Sequence, residues 1–233
     1  MRELHEIQTQ PQTRQAASLR PGQFKHVLRV AAVSGRQSVR DVMLLWITHT
    51  TGIRVTELAL IQIRDIMHPS GALRDEVYLR GAITKHNTPR LIYLTHPKAI
   101  AAVVAWLDYR IGRGWQLGEP GLYRGFVPSE KLVLTHKGRS FELARKRRVI
   151  ESGPVEYLCC DALQQTISRI YRRAGIKGGS SHSGRRTLAS RVLANTGRIE
   201  DVQQVLGHID VDHSWPYLDV DPKTIRRAFE LAL

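Results

Sequence analysis

Two helices, each closed by a glycine, are predicted near the C-terminal end of the chain, and they constrain the fold more strongly than any other segment. The first runs from about Ser181, which is its candidate N-cap, to Gly197, and the second is short and ends at Gly207. In each helix apolar residues recur three or four positions apart on one face. Because glycine can adopt the left-handed conformation that turns the backbone, Gly207 is expected to present His208 at a tip. The two helices therefore fix the backbone that carries the polar residues of this region.

Four of those polar residues have spacings that suit attack on a phosphodiester. His182 and Arg185 are three residues apart, so they share one face of the first predicted helix. His208 follows the closing glycine of the second helix, and Tyr217 comes nine residues later. Together they offer cationic groups for a phosphate, groups that can share a proton, and a phenol that can act as a nucleophile.

The segments His182-Ser-Gly-Arg185, Leu206-Gly-His208 and Tyr217 resemble box II of the tyrosine recombinases, the phage integrase family. The pattern of that box is His-x-x-Arg, then Leu-Gly-His, then Tyr. An earlier segment, Thr51-Gly-Ile-Arg-Val-Thr-Glu-Leu58, resembles box I of the same family at every fixed position. The resemblance implies that Arg54 is the first catalytic arginine and that Glu57 orients and buffers it.

A loop between two predicted strands supplies the remaining residue that the resemblance calls for. Strands are predicted at residues 77–80 and 91–94 from their β-branched and aromatic content. The family carries its catalytic lysine in a β-turn at this place, before an arginine and an apolar strand. The resemblance therefore implies Lys85, with His86 as a disfavoured alternative.

Cleavage of a phosphodiester by a tyrosine makes three chemical demands. The phenol has an unperturbed pKa of about 10, so its proton must be removed, and His182 is the candidate acceptor. Negative charge gathers on the non-bridging phosphate oxygens, where the guanidinium groups of Arg54 and Arg185 can stabilise it. The departing 5′-oxygen needs a proton from a general acid, for which Lys85 is the candidate.

The residues from His208 to Tyr217 indicate whether the reaction needs a cofactor. A 3′-phosphotyrosyl link at Tyr217 would store the energy of the broken bond, so neither ATP nor a metal is required. His208, expected to donate a hydrogen bond to a non-bridging oxygen, also begins a run with Asp210, Asp212 and His213 that could be taken for a metal cluster. That arrangement matches no common zinc spacing, so we expect no metal and no other cofactor.

The charge of the chain indicates the class of its partner. A formal net charge of +14 and a pI of about 10.4 favour nucleic acid, then an anionic membrane surface, over an unspecific basic surface. No stretch approaches the roughly 20 apolar residues that span a bilayer. The N-terminus lacks the apolar core of a signal peptide, and the adjacent Cys159 and Cys160 exclude an ordinary disulfide between them. A cytoplasmic protein without a membrane partner is expected.

Two groups of basic residues are the candidate contacts to DNA phosphates. The densest basic run consists of Arg139, Arg145, Lys146, Arg147 and Arg148. A predicted amphipathic helix at residues 161–174 places three more on its outer face: Arg169, Arg172 and Arg173. A solvated face or a nuclear-import-like patch is the alternative for the first group. Residues 149–160 are longer than the usual family connection, and no function is assigned to them.

The helical periodicity and the two short strands predict an α+β fold, mainly α-helical with a small antiparallel β-sheet, as the resemblance also implies for a catalytic domain. Residues 1–20 are polar and glutamine-rich and are expected to be a flexible lead, whereas residues 21–233 would form the catalytic domain. About 20 polar residues cannot supply the separate core-binding domain that many family members carry. The resemblance then implies either a member that consists of the catalytic domain alone or one half of a DNA clamp whose other half is supplied separately. Weaker DNA affinity, or dependence on an accessory DNA-bending or core-binding protein, would follow.

The activity that the resemblance implies is site-specific recombination or integration of duplex DNA, with four protomers acting on two paired sites. An origin in a mobile genetic element is a further expectation. Two alternatives stay open: a type IB topoisomerase, which relaxes DNA as a monomer, and a DNA-binding regulator that keeps the fold without catalysis. The short chain and the box spacing weigh against the first, and the matches at six catalytic positions weigh against the second.

Overall fold

Helices are the main secondary structure of the computed structural model, which describes residues 16–84, 87–150 and 153–207. The helices are α1 (Pro21–Val33), α2 (Ser38–Thr51), α3 (Val55–Leu60), α4 (Ile63–Ile66), α5 (Pro97–Gly112), α6 (Asp161–Arg173), α7 (Ser183–Thr196) and α8 (Ile199–Leu206). The strands are β1 (Glu76–Leu79), β2 (Arg90–Tyr93), β3 (Ala144–Ile150) and β4 (Gly153–Cys159). The α+β class is confirmed, although these strands form two separate antiparallel pairs where one small sheet was expected.

Helix α2 lies at the centre of the fold and packs against α1, α5, α6 and α7. Apolar side chains cover most of its circumference, and Met43, Leu44 and Leu45 are completely buried. Burying one such side chain stabilises the folded chain by about 1.5–3 kcal/mol relative to leaving it in water. A helix surrounded by neighbours in this way provides a rigid support for the turn that follows it, at Gly52.

Helix α7 packs closely on α2 because its first turn contains a glycine. A Cβ at Gly184 would lie 2.8 Å from the carbonyl carbon, Cβ and Oγ1 of Thr48, too close for any other residue to fit without a shift. The cap of α7 differs from the prediction, which gave that role to Ser181. His182 occupies the N-cap position, while Ser183 Oγ accepts a hydrogen bond from the main-chain N–H of Ser180 at 3.0 Å.

Residues 16–20, the described part of the expected flexible lead, are anchored on α7. Leu19 is buried, and its main-chain N–H donates to Thr187 Oγ1 at 2.9 Å. Arg186 Nη1 donates to the carbonyl of Ala16 at 2.8 Å. These five residues therefore belong to the body of the protein rather than to a flexible lead, and residues 1–15 lie outside the described residues.

The two strand pairs differ in their surroundings. β1 and β2, which were predicted one residue further along the chain, pair in the register Val77 to Ile92, and both of these residues point into the core. β3 and β4 pair along seven residues each and pack mainly against one another, forming a ribbon that we call the β3–β4 ribbon. Its apolar side chains are largely exposed, Val149 by 78%. Within the described residues, no helix is both long and apolar enough to cross a membrane.

Candidate active site

The turn between α2 and α3 holds Arg54 in place. Gly52 ends α2 with a φ of 61°, in the left-handed region, and Arg54 occupies the N-cap position of α3. The main-chain N–H of Arg54 donates to Glu57 Oε2 at 2.8 Å, and its Nη1 donates to Glu57 Oε1 at 2.9 Å. A carboxylate three residues into a helix can meet an otherwise orphaned N–H at the helix start. The local sequence is thus sufficient to fix the guanidinium of Arg54 relative to α3.

Glu57 is almost completely buried and binds a second arginine that comes from β2. Arg90 Nη2 donates to Glu57 Oε2 at 2.6 Å, so one carboxylate joins two guanidinium groups. Burial works to raise the pKa of Glu57, but the charges of Arg90 and Arg54 and their hydrogen bonds outweigh burial and hold this pKa below its usual value. Glu57 therefore stays ionised near neutral pH, although it lies in the interior.

Arg185 lies in the first turn of α7, and its guanidinium joins two distant segments of main chain. Nη1 donates to the carbonyl of Gly52, and Nη2 donates to the carbonyl of Leu206 at the end of α8. Carbonyls at helix C-termini lack intrahelical partners and carry partial negative charge, so a cation there is favourable. Arg185, which is 2% exposed, thereby fastens the ends of α2 and α8 to each other.

The last residues of α8 are surrounded by three arginines. Besides the bond from Arg185, Arg54 Nη2 lies 3.5 Å from the carbonyl of Gly207. Gly207 has a φ of 59°, and a Cβ there would collide with Cδ of Arg90 and lie 3.2 Å from its Nε. The left-handed turn predicted at Gly207 is confirmed, and it lies where Arg54, Arg90 and Arg185 converge.

His182 lies at the surface beside this cluster. The protein around the imidazole removes part of its hydration, and this effect, followed by the charges of Arg185 and Arg54, lowers the pKa of His182 below its ordinary value. The ring is therefore expected to be neutral near pH 7, the form that can accept a proton. It borders an open cleft of about 510 Å³ whose other lining residues are Gln164, Gln165, Ser168, Arg169, Arg172, Ser180 and Ser181.

The structure brings together four of the residues expected from the sequence: Arg54, Glu57, His182 and Arg185. The other expected catalytic residues lie outside the described residues: Lys85, His208 and Tyr217. So do the alternative His86 and the run of Asp210, Asp212 and His213. The chain on either side of these gaps does reach the site, because Gly207 directly precedes His208 and Arg90 closes the loop that contains Lys85. Sequence reasoning assigned no role to Arg90 or to Gly184.

The candidate DNA contacts are exposed and lie on two elements. Arg145, Lys146 and Arg147 belong to β3, with Arg139 exposed in the turn before it, and the description of Arg148 covers its main chain only. Arg145 pairs with Glu156 at 3.2 Å, and Lys146 pairs with Asp161 at 2.8 Å. On α6 the three basic residues face outward as predicted: Arg169, Arg172 and Arg173. Two basic surfaces, the β3–β4 ribbon and the outer face of α6, therefore follow one another along the chain.

Comparison with known proteins places these features in a family. The model of the phage integrase family matches residues 18–224. The chain is 24% identical to the tyrosine recombinase XerC of Corynebacterium glutamicum over 206 residues, which are 88% of this chain and 55% of that protein. It is 23% identical to the XerC of Staphylococcus haemolyticus over 211 residues, 89% of this chain and 58% of that protein. The chain thus spans little more than half the length of the curated relatives it matches.

Solved structures show the same fold. The XerA recombinase superposes with a TM-score of 0.65 at 19% identity, covering 94% of this chain and 65% of that one. The XerH site-specific recombinase bound to palindromic difH substrate, in a post-cleavage complex, gives a TM-score of 0.62 at 18% identity, covering 91% of this chain and 51% of that one. The arrangement of helices around the arginine cluster is therefore one that occurs in solved recombinases.

Proposed function

Since the chain belongs to the phage integrase family, we propose that it is a site-specific DNA recombinase or integrase, which cleaves and rejoins duplex DNA through a 3′-phosphotyrosine intermediate. The strongest support is the convergence of Arg54, Arg185 and His182 around the end of α8. The next residue in the chain is His208, and Tyr217 follows nine residues later. Groups that bind phosphate thus meet a group that can accept a proton, beside the segment that carries the phenol.

The charge balance of the cluster suits a phosphodiester. Arg54, Arg90 and Arg185 carry three positive charges, and Glu57 supplies one negative charge among them. Surplus positive charge in a site with little water is favourable only when an anion joins it. A phosphodiester brings one negative charge, and its pentacoordinate transition state gathers more. The cluster would therefore bind the transition state more tightly than the ground state, which is what accelerates a reaction.

Each residue has one task in the proposed reaction. The hydroxyl oxygen of Tyr217 attacks phosphorus while its proton passes to the neutral imidazole of His182. The bond from phosphorus to the 5′-oxygen breaks, and Lys85 gives that oxygen a proton. Arg54 and Arg185 stabilise the non-bridging oxygens, as does a hydrogen bond from His208.

Rejoining reverses these steps, with the 5′-hydroxyl of a second strand as the attacking group. The phosphodiester that reforms releases Tyr217, so the tyrosine is regenerated in each cycle. The energy of the broken bond is kept in the phosphotyrosyl link, and the reaction needs neither an energy source nor a redox step.

Duplex DNA is the proposed partner, bound along α6 and the β3–β4 ribbon. A DNA major groove admits either an α-helix or a two-stranded β-ribbon. The ion pairs of Arg145 and Lys146 are exposed, and such pairs contribute little to stability, so phosphates can replace their carboxylates easily. XerH has been solved with difH substrate and the Tn1549 transposon integrase with transposon right end DNA, which supports DNA as the partner here.

Self-association into a tetramer on paired sites, and help from an accessory DNA-bending or core-binding protein, belong to the same proposal. The catalytic domain over residues 21–233 and the cytoplasmic location also stay predictions. No observation in the described part of the chain favours the topoisomerase or the non-catalytic regulator. Recombination between paired sites, compared with relaxation of a plasmid that has none, would separate the recombinase from the topoisomerase.

A covalent-trapping assay tests the proposal directly. Wild-type protein is incubated with nicked suicide duplexes drawn from the DNA that flanks its gene, and any adduct that resists denaturation is mapped by peptide analysis. We expect an adduct at Tyr217 in the wild type and none with Tyr217→Phe, which keeps the ring and removes the nucleophilic oxygen. An adduct at another residue, or DNA binding without any adduct on every duplex tried, would contradict the proposed reaction.

A further inference from the structure

Arg90 reaches the centre of the arginine cluster from an element that contributes none of the six expected catalytic residues. It is the first residue of β2 and follows the loop that contains Lys85. Its side chain is 10% exposed, the lowest exposure among the arginines that bind Glu57. The strand begins with a charged residue that turns inward, where an apolar residue would be the ordinary choice.

The carboxylate of Glu57 is shared between Arg90 and Arg54. Oε2 accepts from Arg90 Nη2 at 2.6 Å and from the main-chain N–H of Arg54 at 2.8 Å, and Oε1 accepts from Arg54 Nη1 at 2.9 Å. A carboxylate held by two guanidinium groups cannot neutralise both of them. Arg54 therefore keeps more of its positive potential than it would in an exclusive pair with Glu57.

Arg90 also sets the position of the turn before His208. A Cβ at Gly207 would collide with Cδ of Arg90, so the side chain lies directly against the main chain of that turn. Arg54 Nη2 approaches the carbonyl of the same residue at 3.5 Å. Arg54 and Arg90, which both bind Glu57, thus also both contact Gly207.

Two hydrogen-bond donors of Arg90, the buried Nε and Nη1, find no acceptor among the described residues. Each buried donor left without an acceptor destabilises the folded state. Arg80 and Arg110, which lie away from the cluster, leave one such donor each, whereas Arg90 leaves two beside two other guanidinium groups. This arrangement is consistent with a site built for an anion.

We propose that Arg90 is a positioning residue of the active site, which holds Glu57 and the Gly207 turn so that Arg54 faces the scissile phosphate. This role depends on the proposed function, because it concerns the same phosphate. Arg90 would then join β2 to the expected phosphate-binding arginine through the shared carboxylate of Glu57.

Because Arg90 carries a charge, its removal should change the pKa of Glu57, which the loss of a merely structural contact would not do. Within the described residues, the charged groups acting on Glu57 are Arg90 from β2 and Arg54 at the start of its own helix. Removing Arg90 takes away one of two cations, so the pKa of Glu57 rises and its carboxylate is lost at a higher pH. Arg54 then loses its anchor in a pH range where the wild-type site is intact.

The test compares Arg90→Gln and Arg90→Lys with the wild type in the rate of covalent adduct formation on the nicked duplexes, measured across pH. We expect Arg90→Gln to slow the reaction by roughly 10- to 100-fold, by analogy with groups that orient the ligands of a metal site. The acid side of its pH profile should also move to higher pH. Arg90→Lys keeps the charge and should keep the wild-type profile at a reduced rate.

The matched control is Arg80→Gln, which removes an arginine from the same strand pair. Arg80 follows β1 and binds Asp65 at 3.1 Å, away from Glu57. We expect it to leave both the rate and the profile unchanged. A slower Arg90→Gln reaction with an unmoved profile would make Arg90 an ordinary structural residue and overturn the proposal, as would wild-type rates in both Arg90 variants.

A second measurement separates this proposal from the proposed function. The Glu57 carboxyl is followed by carbon NMR in protein labelled at glutamate, with its signal assigned by its loss in Glu57→Gln. We expect the pH midpoint of the Glu57 titration to rise in Arg90→Gln but not in Arg80→Gln, whether or not DNA is cleaved. A wild type that forms no adduct would count against recombination, while an unmoved Glu57 midpoint would count against the role of Arg90.

Discussion

A single buried side chain, His49, ties the stability of the protein to pH. Its ring stacks on Phe24 with the ring centroids 4.2 Å apart, and Nδ1 lies 2.9 Å from the carbonyl of Leu45. Burial lowers the pKa of His49 to about 3. In the unfolded chain the pKa returns to about 6.5. Between these values the unfolded state binds a proton that the folded state does not, so stability is full above about pH 6.5 and falls as the pH decreases.

We expect the His49 contribution to reduce the free energy of unfolding by about 2 kcal/mol between pH 7 and pH 5, at about 1.4 kcal/mol per pH unit below the unfolded pKa. Urea unfolding at the two pH values measures this change. His49→Gln should remove that part of the pH dependence, because glutamine has no proton to bind. The control is His26→Gln, at an exposed position of α1, which should unfold with the wild-type pH dependence. Equal pH dependence in the wild type and His49→Gln would contradict the account.

Residues whose partners are close in sequence could be predicted, whereas those with distant partners could not. Arg54 and Glu57 are three residues apart at a helix start, so their pairing follows from the local pattern. Arg90 meets Glu57 across 33 positions, and only the tertiary fold, in which β2 packs against α2, brings them together. Arg185 was expected to bind phosphate, but its bonds to the carbonyls of Gly52 and Leu206 depend on two helix ends that the sequence alone does not place.

At the scale of elements, the close packing of α7 on α2 depends on one glycine. Alanine at an exposed helix position is favoured over glycine by about 0.5–1 kcal/mol. At Gly184, however, the added methyl would lie 2.8 Å from three atoms of Thr48. Overpacking of this kind costs about 1–3 kcal/mol, more than the gain in helix propensity. The clash should therefore decide the outcome.

We expect Gly184→Ala to lower the free energy of unfolding by roughly 1–3 kcal/mol. Gly22→Ala, in the first turn of α1 with no atom within 4 Å of the added methyl, should instead raise it by about 0.5–1 kcal/mol. Urea unfolding of both variants under identical conditions measures the two changes in the free energy of unfolding. An increase in both variants would show that α7 can shift on α2 without loss of stability.

The helices could be predicted from the sequence more reliably than the β3–β4 ribbon. Apolar residues at helical spacing, with glycines at the ends, located α7 and α8 closely. β3 contains four consecutive basic residues and no alternation of apolar and polar positions, so it carries no strand signal. Its structure comes from pairing with β4, in a register that runs from Ala144 opposite Cys159 to Ile150 opposite Gly153. The helix cap at His182 was missed because Ser181 has the more usual capping side chain.

At the scale of the whole molecule, the surplus of positive charge makes the binding of DNA depend on salt. Each phosphate that the protein neutralises releases condensed counterions, so the logarithm of the binding constant falls with the logarithm of the salt concentration by about 0.9 per phosphate. The net charge of +14 is spread over the chain, and the β3–β4 ribbon holds the densest part of it. Removing charges from the ribbon should therefore change the salt dependence as well as the affinity.

We expect the double variant Lys146→Ala with Arg147→Ala to weaken binding to duplex DNA and to reduce the salt slope by about 2, because each phosphate that is no longer neutralised lowers the slope by about 0.9. Fluorescence anisotropy with a labelled duplex at several salt concentrations measures both quantities. The control is Arg113→Ala, an exposed arginine at the end of α5, whose slope should match that of the wild type. An unchanged slope in the double variant would place the DNA away from the ribbon.

The fold class could be predicted because it depends on composition and helical periodicity. The relative placement of elements could not, since it depends on contacts between distant parts of the chain. Residues 16–20 are an example: their polar sequence suggests a loose end, yet Leu19 and the main chain of this segment bind α7. Here one buried apolar side chain and several hydrogen bonds outweigh the character of the surrounding residues.

Replacing Arg185 should reduce the amount of folded protein more than replacing Arg54 does. Its guanidinium fastens two helix ends through the carbonyls of Gly52 and Leu206, so its replacement leaves buried acceptors that open the structure to cellular proteases. Inactive alleles at Arg185 will therefore deplete the protein itself in a living cell. Arg54 is 23% exposed, and its removal leaves Glu57 with Arg90 as the remaining cation, so its replacement should deplete the protein less. A genetic screen that scores activity alone would count both as equal, and a measurement of steady-state abundance would tell them apart.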